Sequence, residues 1–127
     1  MKRRVTRIVG WGLSVLISLF LIGVSGLPKF IDFEGKEKLF AELGWTVDTM
    51  KIVGVVEVAL AVLFLVPRLG MLAAVLLTGY LGGATAAHVR VGEPFLFPVV
   101  LGVLVWVALG LRDRRVFALA LGRPPRD

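Results

Sequence analysis

Residues 8–28, with the sequence IVGWGLSVLISLFLIGVSGLP, contain no charged side chain. An α-helix rises about 1.5 Å per residue, so a run of this length covers about 30 Å, the thickness of the hydrocarbon layer of a membrane. The run therefore predicts a transmembrane helix. A basic leader before an apolar run is also typical of a signal peptide, but this run is long and lacks a clear A-x-A cleavage site.

Three further apolar segments give the other predicted spans, at about residues 51–66, 69–89 and 94–111. Pro67 and Arg68 end the second span, because proline cannot extend the hydrogen-bond ladder of a helix. The short connections force neighbouring helices to pack antiparallel. We therefore predict a single all-α transmembrane domain over residues 1–127, an integral membrane four-helix up-down bundle.

Composition excludes several classes of protein. Hydrophobic residues make up 57% of the chain, which exceeds the roughly 45–50% of soluble domains. The net charge of +6 sits at the two ends and between apolar runs, which fits membrane orientation better than nucleic-acid binding. The absence of cysteine excludes disulfides and thiol chemistry, and a single histidine makes a metal site improbable.

The loop at residues 29–50 is charged, unlike the spans around it. Leu39, Phe40 and Leu43 have a helical spacing and Gly44 can cap a helix, which predicts a short amphipathic helix at the membrane interface. Three aromatic residues are expected to anchor it at the lipid headgroups: Phe30, Phe33 and Trp45.

The distribution of lysine and arginine predicts the orientation. The two tails and the turn at Pro67 carry ten of these residues, whereas the first loop and the turn at Arg90 carry five. Because basic residues favour the cytoplasmic side, both termini are predicted to be cytoplasmic. Arg112, Arg114 and Arg115 follow the last span directly and are predicted to contact anionic membrane lipids.

Small residues at four-residue spacing predict close helix contacts in a membrane. Gly79, Gly83 and Ala87 form one such stripe on the third span. A similar stripe on the first span consists of Gly10, Ser14 and Ser18. We interpret both stripes as packing surfaces inside the monomer; the alternative is that one of them forms a homo-oligomer.

Glu57 is the most informative residue, because a carboxylate at the centre of a span costs about 2.5–3.5 kcal/mol on insertion scales. Lys51 lies on the same helix but on a different face. The better partners lie at the outer ends of other spans: Lys29, His88 and Arg90. Tyr80 and Thr85 could donate hydrogen bonds to a bound carbonyl group.

Two interpretations of this group are open. It is either a structural cluster that fixes the ends of the helices or a site that binds a ligand or exchanges protons. In the second case Glu57 and His88 are the candidate catalytic residues, because a buried carboxyl and an imidazole can both titrate near neutral pH. The candidate ligand-binding residues are Lys29, Lys51, Glu57, Tyr80, Thr85, His88 and Arg90.

Four motifs resemble the DoxX-like family of small membrane proteins. They are GLPKF at residues 26–30, GVVE at 54–57, LVPR at 65–68, and the stretch from Gly83 through His88 to Pro94. The resemblance covers roughly residues 23–115 and implies a four-span bundle. It also implies a link to quinone-dependent oxidases and to sulfur oxidation or oxidative stress, and it matches Lys29, Glu57 and His88 to polar positions of the family.

The leading functional hypothesis is an accessory subunit of quinone-linked redox chemistry in the bacterial plasma membrane. A quinone is then the expected cofactor, and a redox protein the expected partner. One alternative is a non-catalytic membrane module that binds another protein. Another is a small membrane enzyme that performs acid–base chemistry on a lipophilic substrate.

Overall fold

The computed structural model describes residues 2–30, 34–42 and 44–123, and these residues form helices joined by short turns and loops, without a strand. Two predicted features lie outside the described residues: the headgroup contact of Phe33 and the packing of Leu43. The six α-helices are α1 (Lys2–Leu19), α2 (Lys36–Glu42), α3 (Val47–Phe64), α4 (Gly70–Arg90), α5 (Leu96–Arg112) and α6 (Arg115–Ala120).

The first apolar run is helical over its whole length but changes its hydrogen-bonding pattern. After α1 the chain continues as a π-helix, Phe20–Gly26, and then as a 3-10 turn, Leu27–Lys29. A π-helix is wider than an α-helix and is frequent at functional sites. Hydrophobic periodicity cannot reveal this change, because both helix types bury similar residues.

The predicted short helix in the loop at residues 29–50 is confirmed as α2, and its place at the membrane interface stays a prediction. Gly44 has a φ of +82°, and its N–H donates to the carbonyl of Ala41 while the N–H of Trp45 donates to that of Phe40. This is the pairing of a glycine-capped helix end, as Gly44 predicted. Phe40 is buried, whereas Leu39 is exposed.

Helices α1, α3, α4 and α5 and the π-helix share one core, whose fully buried side chains include Leu21, Phe64, Leu77 and Val105. The contacts between α1 and α3 run in opposite directions along the two helices. Ser18 donates to the carbonyl of Ala61, and Lys29, further along the first helix, reaches back to Glu57. This register brings the π-helix beside the middle of α3.

The two stripes of small residues have different environments. Gly10, Ser14 and Ser18 are buried, which confirms that they form a packing surface inside the monomer. Gly79 and Gly83 are exposed, and a Cβ added to either residue would meet nothing within 4 Å. The interpretation of the α4 stripe as an internal packing surface was therefore wrong for these two glycines, because α3 and α5 contact the other faces of α4.

Within the part of the chain that the structure describes, two stretches are long and apolar enough to cross a membrane, Lys2–Lys29 and Pro67–Arg90. Helix α5 is apolar but shorter, with 17 residues. Helix α3 has 18 residues and includes Asp48, Lys51 and Glu57, which reduce its hydropathy. The four-span up-down bundle therefore remains a prediction.

Arg112 and the residues after it differ from the predicted basic tail. Arg112 is only 8% exposed, so it is not a freely exposed surface anchor, and its contact with anionic lipids stays a prediction. Arg114 and Arg115 are exposed as expected. The chain then forms α6, which the sequence analysis missed because this helix has only six residues.

Candidate functional site

Glu57 lies in the middle of α3 and is completely buried. One turn earlier, Gly54 allows the first helix to approach closely. A Cβ on Gly54 would lie 2.9 Å from the ring of Phe30 and 3.1 Å from Cβ of Lys29. The absence of a side chain at residue 54 therefore lets Lys29 reach the carboxylate.

Three donors converge on one oxygen of this carboxylate. Oε2 of Glu57 accepts hydrogen bonds from Nζ of Lys29 at 2.9 Å, from Oη of Tyr80 at 2.5 Å and from Oγ of Ser25 at 3.2 Å. Ser25 lies on the π-helix, Lys29 on the 3-10 turn that follows it, and Tyr80 on α4. Glu57 therefore connects α3 to these elements. We call Ser25, Lys29, Glu57 and Tyr80 the Glu57 cluster.

The donors of the Glu57 cluster are fully used. Besides Oε2, the ammonium group of Lys29 contacts the carbonyl oxygen of Ser25 at 2.7 Å and its Oγ at 3.1 Å. An ammonium group has three N–H donors, and a tyrosine or serine hydroxyl has one. Each of these hydrogens therefore has an acceptor within the cluster.

The second oxygen of the carboxylate, Oε1, lacks the donors that Oε2 has. Oε1 of Glu57 is buried and has no hydrogen-bond partner among the described residues. An unsatisfied buried polar atom costs about 1–3 kcal/mol, and more if it is charged. Oε1 can accept a hydrogen bond from a further group or carry a proton itself, and the rest of the cluster supplies no donor for it.

The π-helix positions two of the donors. Ser25 and Lys29 are four residues apart and project from the segment in which the π-helix gives way to the 3-10 turn. Gly26 is required here, because a Cβ would lie 2.8 Å from the carbonyl oxygen of Leu21 and 3.1 Å from the side chain of Val58. The unusual helix geometry therefore belongs to the construction of the cluster.

Of the predicted ligand-binding residues, Lys29 and Tyr80 contact Glu57, whereas the others lie elsewhere. Lys51 is exposed near the start of α3. Thr85 and His88 bond to their own helix, with Oγ1 of Thr85 donating to the carbonyl of Leu81 and Nδ1 of His88 lying 2.6 Å from that of Ala84.

Arg90 lies against the loop that follows α2, where a Cβ on Gly44 would be 2.7 Å from its Nη2. The prediction of one polar group that includes Arg90 was therefore too broad. Ser25 was missed by the sequence analysis, although its spacing of four residues from Lys29 was a usable signal.

Thr85 lines a separate apolar groove between α4 and α5. The groove has a volume of about 400 Å³, and its lining includes Thr78, Thr85, Gly102 and Trp106. Nε1 of Trp106 donates to Oγ1 of Thr78 at 2.7 Å. Thr78 and Thr85 lie on roughly the opposite face of α4 from Tyr80, so the groove is distinct from the Glu57 cluster.

Comparison with known proteins gives one family. Residues 12–108 match the DoxX-like family, and this range contains the whole Glu57 cluster. No curated protein and no solved structure matches the chain. The family match and the apolar helices indicate a membrane protein.

Proposed function

The chain belongs to the DoxX-like family, and we propose that it is a ligand-binding accessory component of membrane redox chemistry. Its Glu57 cluster would bind a quinone-like molecule in the reduced, hydroxyl-bearing form. The observation that supports this most strongly is the buried Oε1 of Glu57, which has no donor while Oε2 has three.

The proposed setting is the bacterial plasma membrane, which the chain would cross four times with both termini in the cytoplasm. Helices α3 and α5, with 18 and 17 residues, reach about 25–27 Å at 1.5 Å per residue, which is close to the hydrocarbon thickness. The ion pair with Lys29 reduces the cost of placing Glu57 within a span. Ten basic residues on one side against five on the other support the orientation.

The cluster favours a ligand that donates a hydrogen bond. Every donor of Lys29, Tyr80 and Ser25 already has an acceptor, so a carbonyl oxygen would find no free donor. A hydroxyl group can donate to Oε1 of Glu57 without displacing any existing bond. The reduced form therefore fits the cluster better than the oxidised form.

A quinone, when bound, would supply two-electron chemistry coupled to two protons. The chain's own residues would bind the ligand and neutralise the charge of the carboxylate. Glu57 would accept the hydrogen bond of the hydroxyl, and Lys29 would balance the negative charge of the carboxylate. Tyr80 and Ser25 would hold the carboxylate in place through Oε2. Because the chain has no cysteine thiol that could accept electrons, the electrons would pass to a redox partner protein.

Access to Glu57 would require movement, because the side chain is completely buried. The π-helix Phe20–Gly26 is the segment best suited to move. Its hydrogen bonds span a wider turn, and it is joined to Glu57 through Ser25.

One alternative has an observation in its favour. A non-catalytic module that binds another protein or a second copy would use the open glycine face of α4, where a Cβ on Gly79 or Gly83 would meet nothing within 4 Å. An enzyme that acts alone through Glu57 and His88 is less favoured. His88 follows Tyr80 by two helical turns, about 12 Å along the axis, and bonds to the carbonyl of Ala84.

A matched pair of ligands tests the proposal. A short-chain hydroquinone and its dimethyl ether have the same ring, but only the first can donate a hydrogen bond. We expect the purified protein to bind the hydroquinone about tenfold or more tightly than the ether, because a hydrogen bond to a charged group contributes about 1.5–3 kcal/mol. Isothermal titration in mild detergent measures both affinities.

The Glu57→Gln variant serves as the control in the same titration. Its preference for the hydroquinone should fall to within about twofold, since an amide accepts a hydrogen bond less strongly than a carboxylate. Equal binding of the two ligands by the unaltered protein would contradict the proposal. The comparison of the two ligands on the unaltered protein does not depend on whether the Glu57→Gln variant folds.

A further inference from the structure

Arg112, at the end of α5, is a buried charged residue outside the Glu57 cluster. Its Cζ lies 3.8 Å from the centre of the Trp11 ring and 4.9 Å from that of Phe64. Nη1 donates to the carbonyl of Phe64 at 2.8 Å and contacts Oγ of Ser14 at 3.3 Å. The guanidinium therefore connects α5 to α1 and to the end of α3.

Part of this guanidinium group makes no hydrogen bond within the described residues. The hydrogen bonds of Arg112 within the described chain all come from Nη1, so Nε and Nη2 have none. Arg112 forms no ion pair there either. The adjacent carboxylate of Asp113 is bound by Nε and Nη2 of Arg115 at 2.7–3.1 Å, and these hydrogen bonds hold the pKa of Asp113 below its usual range. A buried cation is thus left without a counter-ion.

The free Nη2 points toward the beginning of α4. A Cβ on Gly70, the first residue of this helix, would lie 2.9 Å from Nη2. Helix α4 has no side-chain cap, and its first turn contains no acidic residue. The first N–H groups of a 21-residue helix carry a partial positive charge and bind anions readily.

We propose that this corner, formed by Arg112 and the N-terminus of α4, binds a phosphate group. A phosphate oxygen would accept hydrogen bonds from Nη2 of Arg112 and from the first amides of α4, which neutralises both. The source would be the headgroup of an anionic lipid or a free phosphate ion. This site is independent of the Glu57 cluster, and Arg112 itself lies outside the region that matches the family, residues 12–108.

The surroundings of the corner are strongly positive. Arg7, Arg68 and Arg114 are exposed near the same ends of the helices. The predicted orientation places this end at the cytoplasmic leaflet, where anionic lipids are concentrated. Such a lipid would hold together the ends of α1, α3, α4 and α5, all of which meet at Arg112.

Met71 allows a test that leaves Arg112 in place. Met71 is 43% exposed in the first turn of α4, so Met71→Glu places a carboxylate at the helix N-terminus without burying it. We expect the unaltered protein to retain one phosphatidylglycerol about tenfold or more tightly than a neutral glycolipid with the same acyl chains. Met71→Glu should lower this preference at least about tenfold, because its carboxylate competes with the phosphate. Native mass spectrometry in mild detergent measures the bound lipid.

Two controls and one competitor complete the experiment. Met71→Gln and Arg114→Gln should each change phosphatidylglycerol binding by less than about threefold, since neither adds an anion nor removes a donor of the corner. Inorganic phosphate should displace the lipid; phosphate binding without lipid binding would assign the site to the free ion. No preference for phosphatidylglycerol or phosphate over the neutral lipid, or equal binding by Met71→Glu, would overturn the proposal.

Discussion

Replacing Lys29 by methionine is expected to destabilise the protein by about 3–5 kcal/mol, because it leaves the carboxylate of Glu57 buried without its counter-ion. Methionine preserves the length of the side chain and its packing against Gly54, so the lost charge is the main change. Lys29 itself is only 8% exposed and Glu57 is not exposed at all, so water cannot replace the ammonium group. Reversible unfolding in mixed micelles measures the free energy.

The double variant Lys29→Met with Glu57→Gln provides the control. Removing both charges should restore more than half of the lost stability, because a neutral amide tolerates the site better than an unpaired carboxylate. If the double variant is as unstable as Lys29→Met alone, Lys29 stabilises the fold through its hydrogen bonds to Ser25 and the ion pair contributes little. Equal stability of Lys29→Met and the unaltered protein would show that Glu57 is neutral in the resting state.

Replacing Gly10 by alanine should destabilise the protein by about 1–3 kcal/mol, the usual effect of overpacking. A Cβ on Gly10 would lie 2.6 Å from the backbone nitrogen of Arg112 and 2.8 Å from the carbonyl carbon of Leu111. Backbone atoms cannot rotate away as a flexible side chain can. Helices α1 and α5 would have to separate, which would also shift the guanidinium of Arg112.

Gly12 offers a matched control on the same helix. A Cβ on Gly12 would meet nothing within 4 Å, so Gly12→Ala should be neutral or stabilise the protein by up to about 1 kcal/mol through helix propensity. Thermal unfolding of the two variants in the same detergent compares them directly. Equal effects would contradict the close α1–α5 contact at Gly10.

The sequence was sufficient to predict the four long helices and the centre of the candidate site. An isolated carboxylate in an apolar run demands a partner, and Lys29 was one of three candidates that the predicted bundle placed at the same level. Tyr80 was recognised as a donor from its residue type alone. Hydrophobic runs and prolines fixed most helix ends to within four residues, since lipid-facing helices must be apolar and proline must interrupt them.

Other features depend on rotation and register, which hydropathy does not specify. His88 and Arg90 were predicted to share a level with Glu57, but Tyr80 is the α4 residue that contacts Glu57, and His88 and Arg90 lie two helical turns or more beyond it. Gly79 and Gly83 have the spacing of a packing stripe and nevertheless face outward. Arg112 follows an apolar run as a surface anchor does, but the glycines at residues 10 and 70 make room for it inside.

The π-helix could not be predicted from the sequence. It is defined by which backbone carbonyl accepts each N–H hydrogen bond, and residue composition does not specify this. It determines where Ser25 lies, which explains why Ser25 was absent from the predicted site. Without Ser25 and the full use of the three N–H donors of Lys29, the unmatched Oε1 of Glu57 could not be recognised. The proposal of a hydroxyl-bearing ligand therefore depends on the structure.

The most direct measurement is mass spectrometry of the small molecules that remain bound after gentle purification of the unaltered protein and of Glu57→Gln. Circular dichroism confirms that both proteins are helical. We predict a lipophilic, hydroxyl-bearing molecule in about one copy per unaltered chain and its loss from Glu57→Gln. No such molecule at any protein concentration, or the same molecule in equal amounts in both proteins, would contradict a ligand site at Glu57.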